Sequence, residues 1–301
     1  MLQAYIIFLN LFRKDETMIN TMEEYRKHLI NLERSKKTIY GYMSELDFFR
    51  KYLEEELNGP FAVTDITSDD INDFLLYLKE ERNYKPASRR RLAATLKGFC
   101  KWAYKQDIIK VDLADRIPSI KVPESERKFL SAEEVEKWIN EVPHEVSKVA
   151  MWIMYYAGLR ISEATGLKMD DVRLEDNGGW LMIRNAKGGK FRRVPIAPLL
   201  AEILNDYMTW KAESDYLLAT ERTGGIHTVT IQAELRYARK RLGWPEDITP
   251  HTLRHSFASH IYEKTQDILV VSKLLGHSNL STTQIYAHLH DDKMVDAVNV
   301  F

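Results

Sequence analysis

The sequence predicts a mostly α-helical chain of two domains, the second carrying a small β-hairpin. Apolar residues recur at helical spacing through the first third of the 301 residues. That periodicity lapses between about 111 and 128, around Pro118 and Pro123. Beyond it, two short strand-like runs, 180–184 and 191–196, flank a glycine-containing turn at 185–190. The chain is long enough for two separate cores.

In order, helices are expected over 21–33, over 35–57 after Ser35, over 68–82 behind the Thr67-x-x-Asp70 start, and over 88–106. In the last of these Leu92, Leu96, Phe99 and Ala103 keep core spacing, while Arg90, Lys97, Lys101 and Lys105 form a separate stripe, expected to lie along DNA phosphates, with a solvated face as the alternative. Residues 1–17 read as an N-terminal extension, 18–112 as the helical domain, 113–127 as a linker and 128–301 as the second domain. Fully extended, that linker reaches about 50 Å, enough for two domains to grip a duplex from opposite sides. The second domain restarts at the capping box Ser131-x-x-Glu134, with helices near 131–141 and 145–158 and another from Arg160. After the hairpin, helices return near 197–212, 228–242, 251–264, 267–275 and 281–288.

A net charge of −1 is not the global signature of a nucleic-acid binder, so such a role must rest on where the charge sits. Residues 85–105 hold seven Lys and Arg and no Asp or Glu, whereas the Glu54-Glu55-Glu56 neighbourhood is acidic. The single cysteine, Cys100, has no partner for an internal disulfide and reads as a core residue between Phe99 and Trp102. The apolar run 2–12 lacks a basic leader and is too short to cross a bilayer; it reads as a terminal helix or as sequence upstream of a second start at Met18. A cytoplasmic protein is expected.

Four motifs then appear in order: Ala157-Gly-Leu-Arg160-Ile-Ser-Glu163, Pro250-His251-Thr-Leu-Arg254-His255, Leu275-Gly-His277 and Ser281-Thr-Thr-Gln-Ile-Tyr286. Each is weak alone, but together they resemble the tyrosine recombinase (phage integrase) family, of the Xer type. The resemblance covers the whole second domain and, more loosely, the helical domain. It implies a SAM-like core-binding domain followed by a mixed α+β catalytic domain.

It also implies chemistry. Phosphodiester exchange needs a nucleophile, positive donors for the nonbridging oxygens and a proton for the leaving oxygen. By resemblance Tyr286 is the nucleophile, giving a 3′-phosphotyrosine and a free 5′-hydroxyl. Arg160 and Arg254 are the clamp, since guanidinium forks match phosphate and stay charged. His251, three residues before Arg254 on one helix, joins them, with Leu253, Phe257 and Ile261 marking the buried stripe. Gly276 is suited to a left-handed helix end that turns His277 out as a phosphate donor. Lys187, in a turn similar to the family's Gly-Lys-Gly-Asn-Lys, is the general acid, with Lys190 as its rival. Glu163 fits the acidic position that orients the catalytic groups. Lys190, Arg192 and Arg193 are expected to hold DNA, and the helix over 228–242, with Arg236, Arg239, Lys240 and Arg241, to enter the major groove.

Other classes fit less well. His251 and His255 have the spacing of a zinc pair, but Thr252 stands where a zincin has Glu. The 187–190 turn lacks P-loop spacing. A DNA-binding protein without catalysis remains an alternative, and a type IB topoisomerase shares the chemistry. The resemblance implies no cofactor, a double-stranded DNA site bound by a dimer, a tetrameric synapse, and a possible accessory translocase or second recombinase. It favours resolution of chromosome or plasmid dimers over integration of a mobile element. The tail segment 291–298 is amphipathic and by resemblance docks on a neighbouring protomer.

Overall fold

Helix starts follow local capping chemistry. Thr17 accepts a hydrogen bond from the Asn20 N–H, and α1, Met18–Asn31, begins there. Ser35 Oγ accepts from the Thr38 N–H at 3.1 Å and opens α2, Lys36–Glu56. Thr67 and Asp70 bond reciprocally, at 3.2 and 2.8 Å, ahead of α3, Ser68–Glu80. The fourth helix, α4, runs Pro86–Lys105 and so starts two residues earlier than expected, because proline at the first helical position lacks only an N–H that would have no partner there.

This computed structural model describes residues 17–123, 128–176, 178–186, 190–222, 224–276 and 283. They divide into two units, Met1–Ser125 and Glu126–Phe301. In the first, Tyr25 and Leu29 of α1, Leu46 and Phe49 of α2, and Ile71 and Phe74 of α3 are buried with Leu92, Leu96, Phe99 and Ala103 of α4. Cys100 lies in this core, where burial pushes its thiol up to about 12. Leu113, Ala114 and Ile117, which the sequence pattern assigns to the linker, are buried in the same core.

The second unit opens with the Leu130 N–H on Ser256 Oγ at 2.9 Å. Ser131 and Glu134 then cap α5, Ala132–Asn140, whose fully buried Trp138 donates to the Leu235 carbonyl at 3.1 Å. The central helix α6, Glu145–Tyr156, is apolar on nearly every side, and a short α7, Ile161–Thr165, follows. Next come β1 (Val172–Glu175), β2 (Gly178–Ala186) and β3 (Lys190–Pro195), antiparallel in that order. Leu181, Ile183, Val194 and Ile196 point inward. The strand β1 was not expected; in the fold its residues alternate between half-buried and exposed. Gly179, at φ +123°, is required there: a Cβ would lie 1.9 Å from the Arg173 carbonyl oxygen.

The remaining helices are α8 (Pro198–Trp210), α9 (Thr228–Arg241), α10 (Pro250–Thr265) and α11 (Ile268–Leu275). Asp267 caps α11 through the Leu269 and Val270 N–H groups, and Gly276 ends it in the left-handed conformation, φ 66° and ψ 42°. Among the described residues no helix is long and apolar enough to cross a membrane. The apolar run 2–12, Lys187, His277, the helix expected over 281–288 with Tyr286 (apart from Thr283), and the tail 291–298 lie outside the described residues.

Candidate active site

The left-handed turn at Gly158, φ +62°, follows α6, and Arg160 stands directly before α7. One turn into that helix Glu163 reaches back: its Oε2 accepts the Arg160 N–H at 2.8 Å and its Oε1 accepts Arg160 Nη1 at 2.8 Å. From β3, Arg192 donates Nη1 to Oε1 at 3.0 Å and Nη2 to Oε2 at 2.9 Å, a two-pronged pair. From α10, Arg254 Nη1 lies 3.6 Å from Oε2. Three guanidiniums therefore gather on one carboxylate whose side chain is only 3% exposed.

Burial would raise the Glu163 pKa, but hydrogen bonds from Arg192 and the Arg160 N–H, with the charges of Arg192 and Arg254, bring it down from 4.5 to about 2. It is a fixed anion at any working pH. Arg254, 6% exposed, is held further by the Gly158 and Leu275 carbonyls, each at 2.6 Å. Arg160, at 26%, keeps more of its side chain open to solvent. The four charged side chains carry three positive charges and one negative, a surplus suited to an anionic phosphate group.

His251 is exposed in the first turn of α10, one turn before the buried Arg254. Thus Arg160, Glu163 and Arg254 come together, and His251 shares a helix with Arg254. Lys187, His277 and Tyr286 fall outside the described residues.

Two expectations for DNA-holding residues are corrected. Arg192 is 9% exposed and turned inward onto Glu163 and the Leu274 carbonyl, so it does not present its guanidinium to a ligand face. Alternation along β3 carried the signal, since Arg192 is in phase with the inward Val194. Arg239 is also buried, its Nη1 donating to the Glu246 and Ile248 carbonyls at 2.7 and 3.2 Å. It continues the buried row Ile231, Leu235 at four-residue steps, which places it on the packed side of α9.

Other basic candidates are outward. Arg236 and Lys240 are exposed on α9, and Arg241 is exposed but pairs with Glu141 at 2.8 Å. Arg193 is exposed and stacks on the Trp180 ring, 4.7 Å from its centroid. Arg90, Lys101 and Lys105 are exposed on α4 and Lys97 half-buried; none of the four pairs with a carboxylate among the described residues. Lys190 begins β3.

Comparison with known proteins bears on the whole chain. Residues 128–293 match the model of the phage integrase family, and residues 20–107 match that of the phage integrase N-terminal SAM-like domain. The tyrosine recombinase XerA of Pyrococcus furiosus is 33% identical over 283 residues, 92% of each chain. The tyrosine recombinase XerD of Lacticaseibacillus casei is 31% identical over 285 residues, 89% of this chain and 94% of that one. In fold, the chain resembles lambda integrase (75–356), crystallised as a dimer bound to a COC′ core site, with a TM-score of 0.74 at 22% identity over 88% of this chain and 97% of that one. With matching family models over both domains and relatives at this identity across nearly the full length, the chain belongs to the phage integrase family of tyrosine recombinases, enzymes of site-specific DNA recombination.

Proposed function

We propose that the chain cuts and rejoins double-stranded DNA at a specific site through Tyr286, acting as a Xer-like resolver of replicon dimers. The observation that carries the reading is the convergence of Arg160 and Arg254 on the buried Glu163. Such a platform is charged and fixed before substrate arrives, the condition under which electrostatic stabilisation of a phosphoryl transition state is most effective.

In this reading the Tyr286 oxygen attacks phosphorus and the bond to the 5′-oxygen breaks. Arg160 and Arg254 hold the nonbridging oxygens, aided by His251 and His277. Lys187 gives a proton to the departing 5′-oxygen, leaving a 3′-phosphotyrosine and a 5′-hydroxyl. Attack by the 5′-hydroxyl of a second strand reverses the step without an outside energy source, because the phosphotyrosine retains the ester bond. Residues 18–112 would form the core-binding domain, continued by Leu113, Ala114 and Ile117 in its core, with the linker in the remainder of 113–127 and the catalytic domain in 128–301. Contacts to the duplex would come from Arg90, Lys97, Lys101 and Lys105, and from Lys190, Arg193, Arg236 and Lys240. Two protomers would occupy one site and four the synapse, as suits strand exchange between two duplexes, with an accessory translocase or second recombinase as further partners. The working place would be the nucleoid. Identity above 30% to Xer-named relatives over about nine-tenths of the chain favours dimer resolution over mobile-element integration.

The test is to incubate the protein with a genomic library from its own source, denature, and map covalently attached DNA ends. A discrete site with attachment at Tyr286, abolished in Tyr286→Phe while duplex binding persists, is the expected result. No adduct, or attachment at another tyrosine, overturns the assignment.

A further inference from the structure

We propose that Arg192 is a positioning residue for strand cleavage: from β3 it ties the hairpin to Glu163 and to the turn at Gly276, keeping the groups that grip the scissile phosphate in one register. The proposal rests on the recombinase reading of the site given above and adds to it a residue without a place in the proposed chemistry.

Three contacts define the tie. Two are the parallel bonds to the Glu163 oxygens, at 3.0 and 2.9 Å. The third is Nε donating to the Leu274 carbonyl at 3.1 Å. Each end of this tie adjoins an expected catalytic group. Glu163 also holds Arg160 at 2.8 Å and lies 3.6 Å from Arg254. Leu274 lies three residues before His277 in the sequence. Arg192 itself follows Lys187 by five residues and Lys190 by two.

The turn is built around this side chain. At Gly276, φ +66°, an added Cβ would come within 2.8 Å of Arg192 Cδ and 3.2 Å of its Nε and Nη1, so the backbone passes against the arginine stem. A side chain that only needed to neutralise Glu163 would not require its third donor on Leu274. Lysine supplies one point charge and cannot span both partners, so the fork geometry rather than the charge is what the position uses. Without it Glu163 would lose its two-pronged partner, and the turn leading to His277 would lose one of its side-chain anchors, leaving the bond from Arg254 to the Leu275 carbonyl.

The experiment uses the full chain and a duplex carrying its mapped site, with either oxygen or sulfur at the 5′-bridging position. Adduct formation is followed in single turnover at saturating protein, alongside duplex affinity and thermal unfolding. Arg192→Gln and Arg192→Lys should bind as the parent does but form adduct about a hundredfold more slowly, the scale of a misplaced catalytic group. Sulfur should restore Lys187→Ala and leave both Arg192 variants slow, because their defect lies in the phosphate grip rather than in proton delivery. Combining Arg192→Gln with Glu163→Gln should cost no more than the worse single change, since both break one unit. If Arg192→Gln fails to fold, Arg192→Lys, which keeps the charge beside Glu163, carries the comparison. Parental rates in the folded variants, sulfur rescue, or independent additive losses would each overturn the positioning role. A parent chain that forms no adduct refutes the recombinase reading beneath it, whereas a normal parent beside a normal Arg192→Lys refutes only this inference.

Discussion

Replacing Glu163 by glutamine keeps the shape of the side chain and removes the charge on which three guanidiniums meet. The folded carboxyl titrates at about 2 rather than 4.5. At 1.36 kcal/mol per unit, this difference corresponds to about 3 kcal/mol of stability. A carboxyl whose pKa is depressed by folding contributes its full stabilisation above the unfolded value and loses it as pH falls through the folded value. The contribution is therefore complete above about pH 4.5 and disappears between there and about pH 2. Urea unfolding of the parent and Glu163→Gln over a pH series isolates it, because the other carboxylates titrate alike in both proteins and cancel in the difference. Near neutrality the variant should be less stable by about 3 kcal/mol, with Arg192 and Arg254 left buried without their shared anion. The gap should close as pH falls from 4.5 to 2. A gap that is absent at neutrality, or constant down to pH 2, would refute the account of Glu163 as a buried anion held by arginines.

Gly158→Ala should destabilise the fold by about 1–3 kcal/mol and slow adduct formation, because the new Cβ would sit 2.4 Å from Phe257 and disturb the carbonyl that holds Arg254; an unchanged melting temperature would count against this packing. Arg239→Met should lower stability while leaving the salt dependence of DNA binding unaltered, since its donors serve the Glu246 and Ile248 carbonyls; a flatter salt dependence would return Arg239 to the DNA face. Changing Lys97, Lys101 and Lys105 together to glutamine should reduce the slope of log affinity against log salt by about 0.9 for each DNA phosphate that is no longer neutralised. An unchanged slope would make that stripe an ordinary solvated face.

Helices were legible where short-range chemistry decides them. The reciprocal Thr67–Asp70 and Ser131–Glu134 bonds stand where the sequence spacing put them, and Gly276 ends α11 in the left-handed conformation expected of it. The four-residue strand β1 was missed because a run so short leaves little periodicity to detect, and its pairing to β2 is a tertiary fact. At the site, the motif order brought out Arg160, Glu163 and Arg254, but sequence distance concealed how many arginines share Glu163. Arg192 lies 29 residues away, and only the inward phase of Val194 pointed to its side of the strand. Arg239 was misjudged through composition: a cluster of basic residues suggested a charged face, whereas its step from Leu235 put it on the packed side.

The grip on Arg254 follows from a general difficulty at helix ends. The last carbonyls of a helix have no N–H ahead of them and carry the negative end of its dipole, so buried ends need a donor from elsewhere. Here α11 ends at Leu275, and the chain leaving α6 turns at Gly158; both residues offer carbonyls to Arg254 at 2.6 Å. Gly158 and Gly276 each have positive φ, which lets the backbone turn away at once and leave those oxygens facing the guanidinium. One arginine thereby satisfies two buried oxygens and is fixed by them in return, with Glu163 behind it. In the proposed reaction, the reorientation that a mobile cation would undergo when negative charge develops on a phosphate would already be completed during folding, so stabilising the core and preparing the charge proposed to grip the phosphate would be one and the same arrangement.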